Sequence, residues 1–514
     1  MNLTKLIGWS SALCLTAVLV QGQTTNDLEK LTRQLKQLQD TFEQQQRELR
    51  QNFERIVRDQ QAQIDALRQQ LESSRTNAAP TPAQSAPAVT NEPRAATATA
   101  APAAAGASPW SPAQPIRLGG AQNYINLSFD ALVAAGASTA RDIDGGTQLG
   151  GHDPKQRGFT VQNLETVFDG KVDPYIRGQA NVVLQIDPHG DTTIEAEEAY
   201  LETMSLPWNL QAKAGQFFTE FGRLNTSHPH TWDFVDQPLV NGRFLGEDGL
   251  RSAGARLSWL APTPFYSELF LTLANSQGGT AYSFRNDHGG GTFLGRLSAD
   301  RGVKGPGDML FAPRYAASFD LTAAQTIVAG ASAAFGPNST GGDTDTQIYG
   351  MDLFWKWKSP YQHGGFPFVA WQTEAMMRRF AAGAFNWDRN GNGITDSGEM
   401  ADIATGLPAS LPRETVTDFG LYSQIVYGFH KGWVAGLRGD YVFPETRAAY
   451  ESILGFDRDR ASRWRVSPNL TYYPSEFAKI RLQYNYDHRN LIGDDHSVWL
   501  EFEFLLGAHA AHKF

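Results

Sequence analysis

Between Lys479 and Asp487 the sequence KIRLQYNYD alternates without a break, and this period of two constrains the fold more than any other feature of the chain. Ile480, Leu482, Tyr484 and Tyr486 fall on one face, and Lys479, Arg481, Gln483, Asn485 and Asp487 on the other. The final alternating run sets Val498, Leu500, Phe502 and Phe504 opposite Glu501 and Glu503. A soluble sandwich hides its apolar face and seldom has so aromatic an outer one. The charged face must therefore meet water or line an enclosed lumen.

Loop lengths decide between those two. From about Gln122 onward, short turns at 170–174, 206–209, 261–264, 430–433 and 474–477 alternate with longer polar connections. The long ones lie near 135–157, 220–249, 276–312, 336–346, 380–414, 443–461 and 488–495, with a shorter one near 188–193. Antiparallel membrane barrels have this asymmetry. The predicted fold class is an all-β transmembrane barrel, antiparallel, of about 16 strands, with 313–335 its least regular stretch. Trp355, Trp357, Trp433, Tyr472 and Tyr473 lie near strand ends, where they would form interfacial girdles. Alternation stops at Leu506, and a short tail with His509 and His512 runs on to Phe514.

The first 115 residues have a different character. Lys5 followed by LIGWSSALCLTAVLV reads as a secretory signal peptide over 1–22, since about 15 apolar residues are too few to span a bilayer comfortably. It holds Cys14, the single cysteine, so the mature chain has no disulfide or thiolate chemistry. Residues 27–75 lack glycine and proline, and Leu28, Leu31, Leu35, Leu38, Phe42 and Leu49 repeat with heptad spacing; the register slips at Phe53 and resumes through Ile64, Leu67 and Leu71. An α-helical coiled coil about 70 Å long is expected there, in the periplasm. The Ala/Pro-rich stretch 76–115 cannot bury a core and reads as a disordered linker. The barrel then occupies 116–514.

With the apolar face turned to lipid, the opposite face supplies pore-wall candidates: Lys213, Lys356, Arg438, Asp440, Arg463, Arg465, Arg481, Glu501 and Glu503, with Asp352, Lys358, Gln372, Glu374 and Lys479 beside them. Both signs are present. The chain carries 44 basic and 54 acidic residues, 33 and 44 of them beyond position 114, which argues against a strong anion funnel despite the local cluster of Arg458, Arg460, Arg463 and Arg465.

Glu197 to Gly222, EEAYLETMSLPWNLQAKAGQFFTEFG, resembles the strand-turn-strand hallmark of the phosphate-selective porin O and P family, although Glu220 stands where proline often precedes Phe-Gly. The resemblance implies a trimeric sixteen-stranded porin of a Gram-negative-type outer membrane. It further implies that the loop after the fifth strand folds inward as the constriction, here with Arg223, His228, His230, Asp233, Asp236 and Arg243 and, further on, Glu247 and Asp248. His228, His230 and Asp233 have donor types that suit zinc or copper. The function expected is passive diffusion of small ions or polar solutes through a water-filled channel, with outer-membrane lipid around it. A structural alternative is a barrel anchor that tethers the membrane to peptidoglycan through the coiled coil.

One motif stands apart. DRNGNGITDSGE, from Asp388, matches the spacing of a calcium loop, with oxygens from Asp388, Asn390, Asn392, Ile394, Asp396 and Glu399 around Ca2+ and Gly393 at the sharp turn. No long amphipathic helix flanks it, so a structural role in an outer loop is expected rather than a sensor. No nucleophile elbow, zincin helix or phosphate-cradling loop occurs, and the glycine-rich DHGGG at 287–291 lacks the strand-to-helix setting such a loop needs, so no enzyme is expected. Nothing points to nucleic acid.

Overall fold

The computed structural model describes residues 116–119 and 124–507, apart from positions 172, 287, 300 and 301. The expected signal peptide, coiled coil and linker, and the tail with His509 and His512, lie outside the described residues. Sixteen strands run in chain order: β1 Tyr124–Ser138, β2 Gly158–Lys171, β3 Ile176–Ile186, β4 Thr192–Thr203, β5 Leu210–Phe218, β6 Arg251–Leu260, β7 Tyr266–Asn275 and β8 Met309–Thr322, then β9 Gln325–Pro337, β10 Asp345–His363, β11 Phe366–Ala382, β12 Glu414–His430, β13 Trp433–Pro444, β14 Arg463–Ser475, β15 Ala478–Arg489 and β16 Gly493–Leu506. Each pairs antiparallel with its neighbours, and β16 returns to β1 from Phe129↔Leu506 to Ser138↔Ser497. The barrel is closed, so every ladder finds its partner and no edge is left. A short strand, Ile116–Gly119, pairs with the start of β1 and continues the seam beyond the end of β16.

The period of two sets the faces. Leu482 and Phe504 point outward at 49% and 53% exposure, whereas Arg481 and Glu501 point inward at 1% each. The exterior is a belt of leucine, isoleucine, phenylalanine, tyrosine and tryptophan, including Leu257, Leu271, Phe311, Ile425 and Leu470. Opposite charges meet across the inner ladder, with Arg481 facing Glu501 and Lys479 facing Glu503 on β15 and β16.

The loop asymmetry is as expected, with short turns at one end and the long connections at the other. The ill-defined region resolves into β8 and β9 joined by a tight turn. Its inward positions include Ala316, Gly330, Ser332 and Ala334, small residues that blur the hydrophobic contrast on which periodicity depends. Tyr473 departs from its expected place in the girdle. Alternation puts it on the inner face of β14, packed with Phe234, Phe366 and Phe368, while Tyr472 stays outside against Trp433.

Candidate functional site

The connection between β5 and β6 turns into the barrel, and three kinds of contact hold it to different parts of the wall. On one side it is apolar. A short helix, α1 (Leu239–Phe244), packs against β11, β12 and β13. Its Leu239, Val240 and Phe244, with Phe221, Leu245 and Leu250 of the same loop, form a core with Leu310, Ile348, Met376, Tyr422 and Val442 of the wall. α1 has no capping side chain of its own, since Pro238 precedes it; Asp440 of β13 accepts the Leu239 N–H at 3.0 Å instead. Gly420 of β12 makes room for this helix, because a Cβ there would lie 2.4 Å from Val240 Cγ2.

The second side is ionic. Asp440, Arg465 and Asp487 stand directly opposite one another on β13, β14 and β15. Asp236 of the loop projects into this row. Its carboxylate accepts from Arg438 at 2.6 Å, Arg465 at 2.8 Å, Gln483 at 2.8 Å and Asn485 at 2.7 Å. Burial opposes its ionisation, but Arg438 and Arg465, helped by Gln483, hold the carboxyl well below its ordinary range. Further along, Lys479 donates to the His230 carbonyl at 3.2 Å and Arg481 to the Trp232 carbonyl at 2.8 Å. Lys479 also pairs with Glu503. The first long loop, 139–157, joins in: Arg463 donates to Gly146 O at 2.7 Å, and Asp153 accepts the Gln237 N–H at 2.8 Å. Burial, with the Asp236 charge nearby, pushes Asp153 up to about 6.

The third side brings histidines to carboxylates. His228 Nδ1 lies 3.3 Å from Glu165 and 2.9 Å from Glu197, and its Nε2 lies 3.2 Å from Glu198. His230 Nδ1 lies 3.6 Å from Glu165 and 3.9 Å from Asp130. Glu197 and Glu198 are consecutive, yet both are buried in the lumen. The ladder explains this: Asn181 of β3 faces Glu198 and Val182 faces Ala196, so Glu197 is the extra residue of a bulge.

All the expected wall residues lie on the inner surface, but most meet the inserted loops rather than open water. Among the constriction residues, Arg223 stacks 4.0 Å over the Phe354 ring and donates to Gln372 at 3.1 Å. Arg243 donates to the Ala461 carbonyl at 2.8 Å, and burial pulls its guanidinium down to about 10. Lys213 sits 4.1 Å over the Tyr200 ring. Asp233 is not beside His228 and His230, contrary to the expected donor set. Its carboxylate takes a hydrogen bond from Gln424 at 3.3 Å and faces Arg481, Lys479, Lys356 and Arg223, because the chain turns through Trp232 to the other side of the lumen. Asp130, His152, Glu165, Glu197 and Glu198 are absent from the expected site. The adjacent glutamates were a usable signal, since one of any such pair in a regular strand faces lipid.

At the long-loop end, cavities of about 410 and 400 Å³ meet at Arg243, Tyr282, Arg458 and Asp459. Arg378, Arg460, Arg463 and Arg489 line them too, against Asp142, Asp144 and Asp457. At the short-turn end a cavity of about 480 Å³ is lined by Thr326, Phe354, Lys356 and Lys358. The Asp388–Glu399 segment lies between β11 and β12. Trp387 anchors its base in a small apolar cluster with Phe380 and Leu411. The segment itself is exposed, and its oxygens accept hydrogen bonds locally: Asp388 from Gly393 N, Glu399 from Arg389 N and Asp396 N, and Asp396 from the amides of Asn390 and Asn392.

An uncharacterized protein of Aquifex aeolicus (strain VF5) is 31% identical over 394 residues, 71% of this chain and 73% of that one. The chain belongs to the same family as that protein. No protein-family model matches it. Among solved structures, the outer membrane channel DcaP of Acinetobacter baumannii is similar over 75% of this chain and 98% of its own, at 13% identity and a TM-score of 0.45. An anion-selective porin from Comamonas acidovorans covers 75% and 100% at 6% identity and a TM-score of 0.44.

Proposed function

We propose that the chain is an outer-membrane porin that passes small polar solutes, with its narrow section set by the inward loop 219–250. The observation that carries this reading is the reversed polarity of the closed barrel: aromatic and aliphatic side chains outside, charged ones inside. An aqueous protein does not leave so continuous an apolar belt in water, and a lipid bilayer satisfies it. Solutes would enter through the arginine-rich cavities at the long-loop end and leave past Lys356 and Lys358. The trimer implied by the O and P resemblance is supported by an outer patch of small residues, Gly178, Ala180, Ala199, Ala214 and Gly215, over β3 to β5. Calcium at Asp388, Asn390, Asn392, Ile394, Asp396 and Glu399 is part of the same proposal, as a clasp on an external loop, and rests on the motif spacing. Planar-bilayer recording tests the channel. Step increases in current are expected, and salt gradients give the sign of selectivity from the reversal potential. A folded, inserted barrel that carries no current refutes it.

A further inference from the structure

Many carboxylates elsewhere in the lumen are matched to arginine or lysine: Asp352 with Arg314, Asp418 with Arg378 and Arg460, Asp487 with Arg463 and Arg465, Glu501 with Arg481. The group on β1, β2 and β4 differs. Among the described residues, the ion pairs of Asp130, Glu165, Glu197 and Glu198 all run to histidine. Four buried carboxylates held by imidazoles are a costly arrangement for charge alone, yet imidazole and carboxylate together are good donors for a divalent transition metal.

The spacing of the donors fits. Around a tetrahedral zinc ion with bonds of about 2.05 Å, neighbouring donor atoms stand about 3.3 Å apart. His228 Nδ1, Glu165 Oε1 and Glu197 Oε2 give 3.3 and 2.9 Å, and His230 Nδ1 with Glu165 Oε2 and Asp130 Oδ1 gives 3.6 and 3.9 Å. The donors of each triad lie within 4.8 Å of one another, and Glu165 belongs to both, offering one oxygen to each. The far nitrogen of His228 faces Glu198 Oε2 at 3.2 Å. A carboxylate that accepts from one imidazole nitrogen fixes the tautomer and aims the other at a metal. His152 Nε2 lies 3.4 Å from Glu197 Oε1 and steadies that ligand in the same manner.

We propose that His228, Glu165 and Glu197 bind a divalent transition metal of the zinc class, that His230 and Asp130 complete an adjoining position across the Glu165 bridge, and that the ion cross-links the inward loop to the wall. The histidines belong to the loop and the carboxylates to β1, β2 and β4. Binding therefore joins two segments far apart in sequence, and removal releases that side of the loop. The site does not depend on the channel reading.

The test uses full-length protein without a histidine tag, refolded in detergent, stripped with chelator and passed through gel filtration after incubation with Zn2+. Retained metal is measured by elemental analysis, and Co2+ loading is followed by its visible absorption. At least one equivalent is expected to stay with the parent and be lost in Glu165→Gln, which serves both triads. Glu198→Gln should retain the ion about 10- to 100-fold more weakly, since it acts through His228. Folding of each variant is checked by the heat-dependent shift of the barrel on gels; if Glu165→Gln does not fold, His228→Gln and His230→Gln carry the comparison. A folded parent that retains no more zinc than its variants overturns the proposal. Zinc held by a barrel without current supports the site and sinks the channel reading, whereas current without zinc does the reverse.

Discussion

Replacing Asp236 with alanine removes the anchor on the ionic side of the lumen. Its carboxylate is fully enclosed and takes four hydrogen bonds, two of them from arginines at 2.6 and 2.8 Å. Arg438 keeps Asp440 and Arg465 keeps Asp487, so neither guanidinium is orphaned. Breaking one partner of a buried pair costs about 3 to 5 kcal/mol, and the surviving partners place this case near 3. That energy falls on the loop rather than the barrel, because the ladders of β13, β14 and β15 do not pass through Asp236. A 3 kcal/mol penalty raises the population of the released loop about 150-fold. The assay is limited proteolysis of detergent-solubilised barrels beside single-channel recording. Cleavage within 219–250 should accelerate by about two orders of magnitude, and conductance should rise or flicker, while the heat-dependent gel shift stays that of the parent. Cleavage and conductance both indistinguishable from the parent would refute the reasoning.

Gly420→Val drives a branched side chain into Val240, where even a Cβ would be 2.4 Å from its methyl. Overpacking of this kind costs about 1 to 3 kcal/mol and should expel α1 from the wall, again seen as faster cleavage of the loop with an intact barrel; wild-type protection of the loop would contradict the packing argument. For the exposed Asp388–Glu399 segment, millimolar calcium should slow its proteolysis and leave barrel melting little changed. Equal cleavage in calcium and chelator, or no loss of protection in Glu399→Gln, would remove the ion from this loop.

What sequence periodicity could deliver was the wall. Alternation, the charge of Arg481, Glu501 and their neighbours, and the rhythm of loop lengths depend only on which residues sit two apart, and those gave sixteen strands and the inner face. It failed where the backbone breaks the period. Glu197 falls out of the strict alternation because the bulge against Asn181 and Val182 turns two neighbours inward, and only the adjacent glutamates themselves, one of which would otherwise face lipid, hint at it before the ladder is seen. The partners of His228 and His230 were equally hidden, since they come from β1, β2 and β4 and nothing local ties the loop to those strands. Asp233 looked like a third donor by nearness in sequence alone. The chain between His230 and Asp233 bends across the lumen, carried by the Trp232 carbonyl on Arg481 and the His230 carbonyl on Lys479.

The three attachments of the loop are not equivalent, and the difference bears on how a pore could open. The apolar contacts of α1 hold under any solution condition that keeps the barrel folded. The Asp236 clamp involves arginines that stay charged throughout the physiological range, so it is permanent too. The histidine and carboxylate side alone has donors whose affinity for one another changes with metal. Release there would free the segment around His228 while α1, Asp236, the Leu224 N–H on Glu374 and the His230 and Trp232 carbonyls on Lys479 and Arg481 remain fixed, so the moving part would be the short stretch between Leu224 and His230. A conductance change produced by chelator in the parent, and already present and insensitive to chelator in Glu165→Gln, is therefore what local release around His228 requires, whereas equal changes on loosening any of the three sides would mean that the loop moves as one body.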